Sequence, residues 1–304
     1  MKRISVGGKV PASAVAMGCM RLTDAKVSVD KLVETALGLG IDFFDHADIY
    51  GGGKCEEIFG GYLAANPSIR DKITIQTKCG IRKGCYDFSK EHIISSVEGS
   101  LKRLKTDYVD ILLLHRPDAL MEPEEVAEAF DLLESSGKVR YFGVSNHNPM
   151  QIELLKTAVK QPIIADQLQF SIPESGLVTS GLNVNMKNAE SQMHDGSAME
   201  YMRIKGITIQ AWSPFQGGFF GGPFVGDSEK YPELNSKLNE LAVKYNSDPT
   251  AIASAWILRH PANIQLISGS VSPDRIKEIA SGADVNLSRE DWYALYLSAG
   301  YRLP

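Results

Sequence analysis

Eight short apolar runs, most of them separated by a stretch with helical spacing, constrain the fold of this 304-residue chain more than any other feature. The runs occupy residues 14–19 (AVAMGC), 42–46 (DFFDH), 73–78 (ITIQTK), 109–115 (VDILLLH), 139–145 (VRYFGVS), 163–170 (IIADQLQF), 207–212 (ITIQAW) and 264–269 (IQLISG). Helical periodicity marks residues 29–40, 92–104, 123–137 and 234–245, and Gly40, Gly137 and Gly206 stand where a helix ends before the next run. Strands that are apolar along almost their whole length belong in a parallel sheet covered on both faces. Repeating the strand-helix unit eight times predicts an α/β fold of the closed (β/α)8 TIM-barrel type.

The competing arrangement is an open, doubly wound sheet. It predicts a G-x-G-x-x-G turn after the first strand, and neither Gly51-Gly52-Gly53 nor the glycines at 217–222 have that spacing. Ahead of the first strand, residues 2–13 contain a Gly7-Gly8 pair suited to a small hairpin that would plug the N-terminal mouth of the barrel. The longer connections, 79–89, 171–189 and 213–230, all follow strands, so they would gather at the opposite, catalytic rim. No linker, repeat or low-complexity tract divides the chain, and residues 1–304 are read as one domain.

A 43% hydrophobic and 23% charged composition is that of a globular enzyme. The net charge of -5 provides no footprint for nucleic acid. No run approaches membrane-spanning length and the N-terminal residues lack a continuous apolar core, so a cytoplasmic protein without a membrane partner is expected. The four cysteines have neither metal-ligand spacing nor the density of a disulfide frame, which leaves no case for a metal.

Four residues lie at or just beyond the C-terminal ends of successive runs: Asp45, Tyr50, Lys78 and His115. Each has a structural explanation alone, as a turn cap, a packing ring, a solvated strand end and a core histidine. A barrel would bring all four to one rim, where an acid, a phenol, an ammonium and an imidazole make proton-transfer machinery.

In these residues the chain resembles the aldo-keto reductase superfamily, whose G-x-x-x-x-D-x-A-x-x-Y segment is matched by residues 40–50. The similarity runs nearly end to end through Lys78, His115 before Arg116-Pro117-Asp118, Gly143 to Asn146, Gln167, Trp212-Ser213-Pro214 and residues 268–275. It implies that Tyr50 is the general acid and base, that Lys78 paired to Asp45 lowers its pKa, and that His115 orients a small carbonyl substrate. The chemistry is consistent: bringing a phenol from near 10 towards 7 takes about 4 kcal/mol of preferential phenolate stabilisation, within reach of a poorly hydrated ammonium. A neutral His115 would donate to the oxygen that gains charge.

Nothing in this tetrad moves two electrons, so a hydride donor must come from outside the chain. The resemblance implies NADPH, with NADH as the alternative. It places Ser145, Asn146 and Gln167 at the carboxamide, Trp212 stacked on the nicotinamide, and Ser213, Pro214, Phe215 and Gly217 along the cofactor. Ser268, Gly269 and Ser270 lead into a helix opened by Pro273, a favourable anion site, and Arg275 can grip a 2′-phosphate with its guanidinium fork.

The chain departs from common family patterns at several positions. Gly269 replaces a lysine and Ile279 an asparagine on the adenosine side, His46 replaces a threonine, and Asp166 and Gln169 flank Gln167. His46 is read as a packed strand residue. Cys19, Cys55 and Cys79 fall near the rim, and Cys79, next to Lys78, would be redox-sensitive only as a thiolate. By position, Met20, Arg21, Tyr86, Phe88 and Arg116 are candidate substrate-pocket walls, left open by a short C-terminal tail. A monomer is expected from the resemblance. Two rivals remain at this point: a lyase forming a Schiff base through Lys78, and a non-catalytic NADPH-sensing subunit. Neither terminus shows a docking extension for the second.

Overall fold

The computed structural model describes residues 1–218 and 221–304; residues 219 and 220, in the glycine-rich stretch considered above, lie outside the described residues. Strands β1 (Val15–Gly18), β2 (Phe43–Asp45), β3 (Thr74–Cys79), β4 (Val109–Leu114), β5 (Val139–Ser145), β6 (Ile163–Gln169), β7 (Thr208–Trp212) and β8 (Ile264–Ser268) form one closed barrel. Every pairing is parallel, and β8 returns to β1 through Leu266 opposite Val15 and Ser268 opposite Met17. The eight strands coincide with the eight apolar runs to within a residue or two.

Helices α1 (Val29–Gly38), α2 (Lys54–Ala65), α3 (Lys90–Leu104), α4 (Pro123–Ser135) and α5 (Pro149–Leu155) cover the first half of the barrel. They are followed by α6 (Gly176–Leu182), α7 (Ala198–Lys205), α8 (Pro232–Lys244), α9 (Pro249–Arg259), α10 (Pro273–Ser281) and α11 (Arg289–Ser298). Their starts are written locally: Ser28, Ser89, Asn148, Asp248, Ser272 and Ser288 each accept a backbone N–H of the first turn. Gly40, Gly137 and Gly206 all have positive φ at helix ends, as the sequence predicts. Helix α9 has no expected counterpart. Residues 250–258 are buried on every side, so the segment lacks the polar face that marks a surface helix in sequence.

The barrel interior is divided into two layers. Its lower part is apolar, with Ala16, Phe43, Ile111, Leu113, Ala165 and Ile267 packed against Val6, Val10 and Ala12 of an antiparallel hairpin (Arg3–Val6 with Val10–Ser13). That hairpin is the expected plug. Gly7 turns it at φ 54° and donates its N–H to Thr208 Oγ1 at 2.9 Å, while Asn263 ties Ser5 O and Thr208 Oγ1 together. Above the apolar layer the interior is polar, with Asp45, Gln76, Lys78, Gln167, Gln210 and Gln265 buried together. With the floor sealed by apolar packing, the C-terminal rim is the face of the barrel open to a ligand among the described residues.

Gly7 marks the tightest contact of this seal, because a Cβ there would lie 2.4 Å from Ile164 Cβ in a left-handed backbone. Gly7→Ala is expected to lower the unfolding free energy by about 1–3 kcal/mol, measured by urea denaturation.

Candidate active site

Asp45 closes β2, and five residues later the chain reverses into α2. Tyr50 opens a 3₁₀ turn followed by Gly51, Gly52 and Gly53, whose φ values of 57°, 64° and 91° only glycine adopts in sequence without strain. This run of glycines lets the chain turn back sharply while Tyr50 stays over the barrel mouth. Lys78, next to last in β3, is fully buried. Its ammonium donates to both Asp45 carboxylate oxygens at 2.8 Å, to His46 O at 2.7 Å and to Tyr50 Oη at 3.1 Å.

Burial alone would lower the pKa of Lys78, but Asp45 and Tyr50 outweigh it and raise the value, so the ammonium is permanent. For Tyr50 the balance goes the other way. Burial pushes the phenol above its ordinary value and Lys78 opposes this only in part, so the expected lowering is not found. Tyr50 therefore stands in its acid form, hydrogen-bonded to a cation. His115 follows β4 with its ring edge-on to Tyr50, centroids 5.9 Å apart. Burial, then Lys78 and Arg116, hold its pKa well down, and the imidazole is neutral as expected.

On the opposite arc of the rim, Ser145, Asn146 and Trp212 form one hydrogen-bonded group. Trp212 Nε1 donates to Asn146 Oδ1 (3.1 Å), Asn146 Nδ2 donates to Ser145 Oγ (2.8 Å), and Ser145 Oγ donates to Gln167 O (3.0 Å). The Gln167 side chain turns down into the barrel instead, where its amide donates to Asp45 Oδ1 (3.1 Å) and Gln210 Oε1 (3.3 Å). Beyond β7, Ser213 takes φ 50° and bonds Gln216, Pro214 is buried, Phe215 is half-buried, and Gly217 lies where a Cβ would strike the Tyr231 hydroxyl at 1.8 Å.

The loop after β8 has the character of an anion cradle. Ser270 and Ser272 extend their N–H groups to Ser268 Oγ and Ser270 Oγ, and nothing lies within 4 Å of a Cβ placed on Gly269. Arg275, in the first turn of α10, is half exposed, bonding Thr250 Oγ1 at 3.1 Å and approaching Glu278 at 3.4 Å. These residues fit a phosphorylated ligand: small backbone-lined space, a helix start and an accessible guanidinium. Ile279 faces the core and is buried, so it offers packing and no polar contact.

Of the proposed substrate walls, Met20, Arg21 and Tyr86 are exposed and Arg116 is half-buried, its guanidinium 5.8 Å from the Trp212 ring centroid. Phe88 is a correction. It is buried, parallel to the His147 ring and pressed on Gly80, because the small hairpin Ile81–Arg82 with Cys85–Tyr86 carries the loop outward above it. His46 is a packing residue, buried beside Phe59 with its pKa down to about 3 through burial. The Cys79 thiol is likewise inert: burial, then the Asp48 carboxylate, pushes its pKa well up. Three site residues escaped sequence reading: Gln76, Gln210 and Gln265, all fully buried inside the barrel beneath the tetrad. Their signal was present as one amide in the middle of each of three apolar runs.

The sequence profile described as the Aldo/keto reductase family matches residues 14–296, and the chain belongs to that family. It is 36% identical to a 6-dehydroglucose reductase of Agrobacterium fabrum over 98% of both chains, and 36% identical to the Bacillus subtilis oxidoreductase YcsN over the full length of both. Among solved structures, a thermostable aldo-keto reductase bound to the inhibitor epalrestat superimposes with a TM-score of 0.77 at 25% identity, covering 98% of this chain and all of the other. An aldo-keto reductase of Klebsiella pneumoniae in complex with NADPH gives 0.78 at 21% identity, covering 100% and 96%.

The buried histidines predict how stability responds to acid. Besides His115, burial lowers His46 to about 3 and His147 and His260 to about 4. A histidine whose folded pKa lies below its unfolded value binds a proton more readily when unfolded, so each destabilises the fold as pH falls below about 6.5. Asp48, raised to about 6, and Asp166 and Asp195, also raised by burial, act in the opposite sense but are fewer. Melting temperature should therefore fall from pH 7 to pH 5 in a thermal denaturation series, and His46→Leu should reduce that fall.

Proposed function

We propose that this protein is an NADPH-dependent oxidoreductase that reduces aldehydes or ketones to alcohols. One observation carries the reading: the Tyr50 hydroxyl lies 3.1 Å from the buried Lys78 amine, itself paired to Asp45, at the rim of the barrel. The bound nicotinamide supplies the hydride. Asn146, Ser145 and Trp212 provide the polar edge and flat indole face that would hold its ring and carboxamide, with the Gln167 backbone carbonyl anchoring Ser145 Oγ beneath them. Ser268, Gly269 and Ser270 would receive phosphate, and Arg275 the 2′-phosphate that distinguishes NADPH from NADH.

Tyr50 donates its proton to the carbonyl oxygen as that oxygen becomes an alkoxide. Proton loss leaves a phenolate beside Lys78, whose ammonium is already in hydrogen-bonding position and needs no reorganisation. Neutral His115 donates a second hydrogen bond to the same oxygen, and an imidazolium there would repel Lys78. Lys78 is unsuited to Schiff-base chemistry, because its nitrogen carries three hydrogens that are all engaged. The similarity to 6-dehydroglucose reductases suggests a sugar aldehyde as a first substrate to try.

Tyr50→Phe should abolish NADPH oxidation by a carbonyl substrate while leaving NADPH binding, followed by fluorescence titration, within about twofold. Undiminished turnover in that variant would remove Tyr50 from its role. Arg275→Ala should weaken NADPH binding by roughly 10- to 100-fold and leave NADH binding unchanged, since only the 2′-phosphate meets the guanidinium.

A further inference from the structure

Beneath the tetrad lies a closed set of amides that the reaction scheme above does not use. Gln76 Nε2 donates to Asp45 Oδ1 at 2.6 Å and to Gln210 Oε1 at 2.8 Å, and Gln210 Nε2 donates back to Gln76 Oε1 at 3.0 Å. Gln210 also donates to Gln265 Oε1 (2.9 Å), and Gln265 Nε2 ends the chain on Ser13 O at 2.8 Å. Each amide comes from a different strand. Gln76, Gln210 and Gln265 are 0% exposed, so water does not compete for these bonds.

The orientation of every amide follows from Asp45. An ionised carboxylate only accepts, so Gln76 and Gln167 must present nitrogen to it. Gln76 is then left with its oxygen towards Gln210, which must answer with nitrogen, and the same logic fixes Gln265. Asp45 Oδ1 thus receives Gln76, Gln167 and Lys78 together. A carboxylate held by Lys78 alone could rotate about its terminal torsion and carry the ammonium with it. Two amide donors from the barrel interior remove that freedom.

We propose that Gln76, held by its reciprocal bonds to Gln210, is a positioning residue that clamps Asp45 and thereby keeps the Lys78 ammonium aimed at Tyr50. The proposal rests on the reductase reading for its effect on rate, but the clamp itself is testable without substrate or cofactor. Gln167 belongs to the same clamp through its side chain while its backbone carbonyl accepts from Ser145 Oγ, which ties the two halves of the site through one residue.

The test compares Gln76→Met with Gln265→Met, two buried amides of which only the first touches Asp45. The activity-independent readout is the Nζ signal of Lys78 in ¹⁵N-lysine-labelled protein, identified by its loss in Lys78→Met. Gln76→Met should shift this signal or broaden it through exchange with water, and Gln265→Met should leave it in place while lowering the melting temperature. In kinetics, Gln76→Met should lower kcat roughly 10- to 100-fold with KM within about twofold. In alcohol oxidation the pH of half-maximal rate should rise, because the phenolate loses its aligned ammonium.

If Gln76→Met does not fold, Gln210→Met, which leaves Gln76 without its reciprocal partner, should produce the same changes in smaller measure. A Lys78 signal and pH profile unchanged from wild type in whichever variant folds would overturn the clamp and reduce the amides to barrel packing. Wild-type protein that shows the Gln76-dependent Lys78 signal yet turns over no carbonyl would instead refute the reductase reading and leave the clamp standing.

Discussion

The buried ion pair of Lys78 and Asp45 is the constraint around which the upper half of this barrel is built. An ammonium and a carboxylate removed from water each lose several kcal/mol of hydration, and their mutual attraction repays that only when the remaining hydrogen-bonding capacity is met. Here it is met in full: Lys78 finds the His46 carbonyl and Tyr50 besides Asp45, and Asp45 finds two glutamine amides. The polar interior layer, unusual for a barrel core, is the consequence of placing one charge pair there. The acid form of Tyr50 has a different cause: burial raises the pKa of the phenol, and the Lys78 ammonium offsets that only in part.

That polar layer requires an apolar one beneath it. The N-terminal hairpin, locked at Gly7 against Ile164 and Thr208, closes the lower mouth with valine and alanine and keeps water from reaching the amides from below. Fold and site are therefore coupled through burial. The seal makes the amide bonds strong, the amides fix Asp45, and Asp45 holds Lys78 charged and placed. Electrostatic stabilisation of a developing charge works best when its donors do not move, and strand-borne residues in a closed barrel meet that requirement.

Much of this was legible in the residues. The eight strands, the hairpin, the rim position of Asp45, Tyr50, Lys78 and His115, and the neutrality of His115 all follow from apolar runs, turn glycines and elementary ionisation chemistry. The departures have specific causes. Helix α9 left no periodic trace because all its faces are buried. Phe88 reads as a loop aromatic but is drawn under a two-residue-strand hairpin that no pattern announces. The pKa of Tyr50 was expected from its cation alone, whereas desolvation, which depends on how the surrounding elements close over it, is the larger influence.

The sequence by itself determined the order and type of the elements and the chemical groups carried to the rim, because strand polarity and side-chain alternation are local properties that survive in the linear pattern. Only the tertiary structure decided which groups meet. Gln76, Gln167, Gln210 and Gln265 come from four strands as much as 189 positions apart (265 − 76), and each could have faced any neighbour. Closure of the barrel brings their side chains to one layer, and a single acceptor-only carboxylate then dictates which way every amide points.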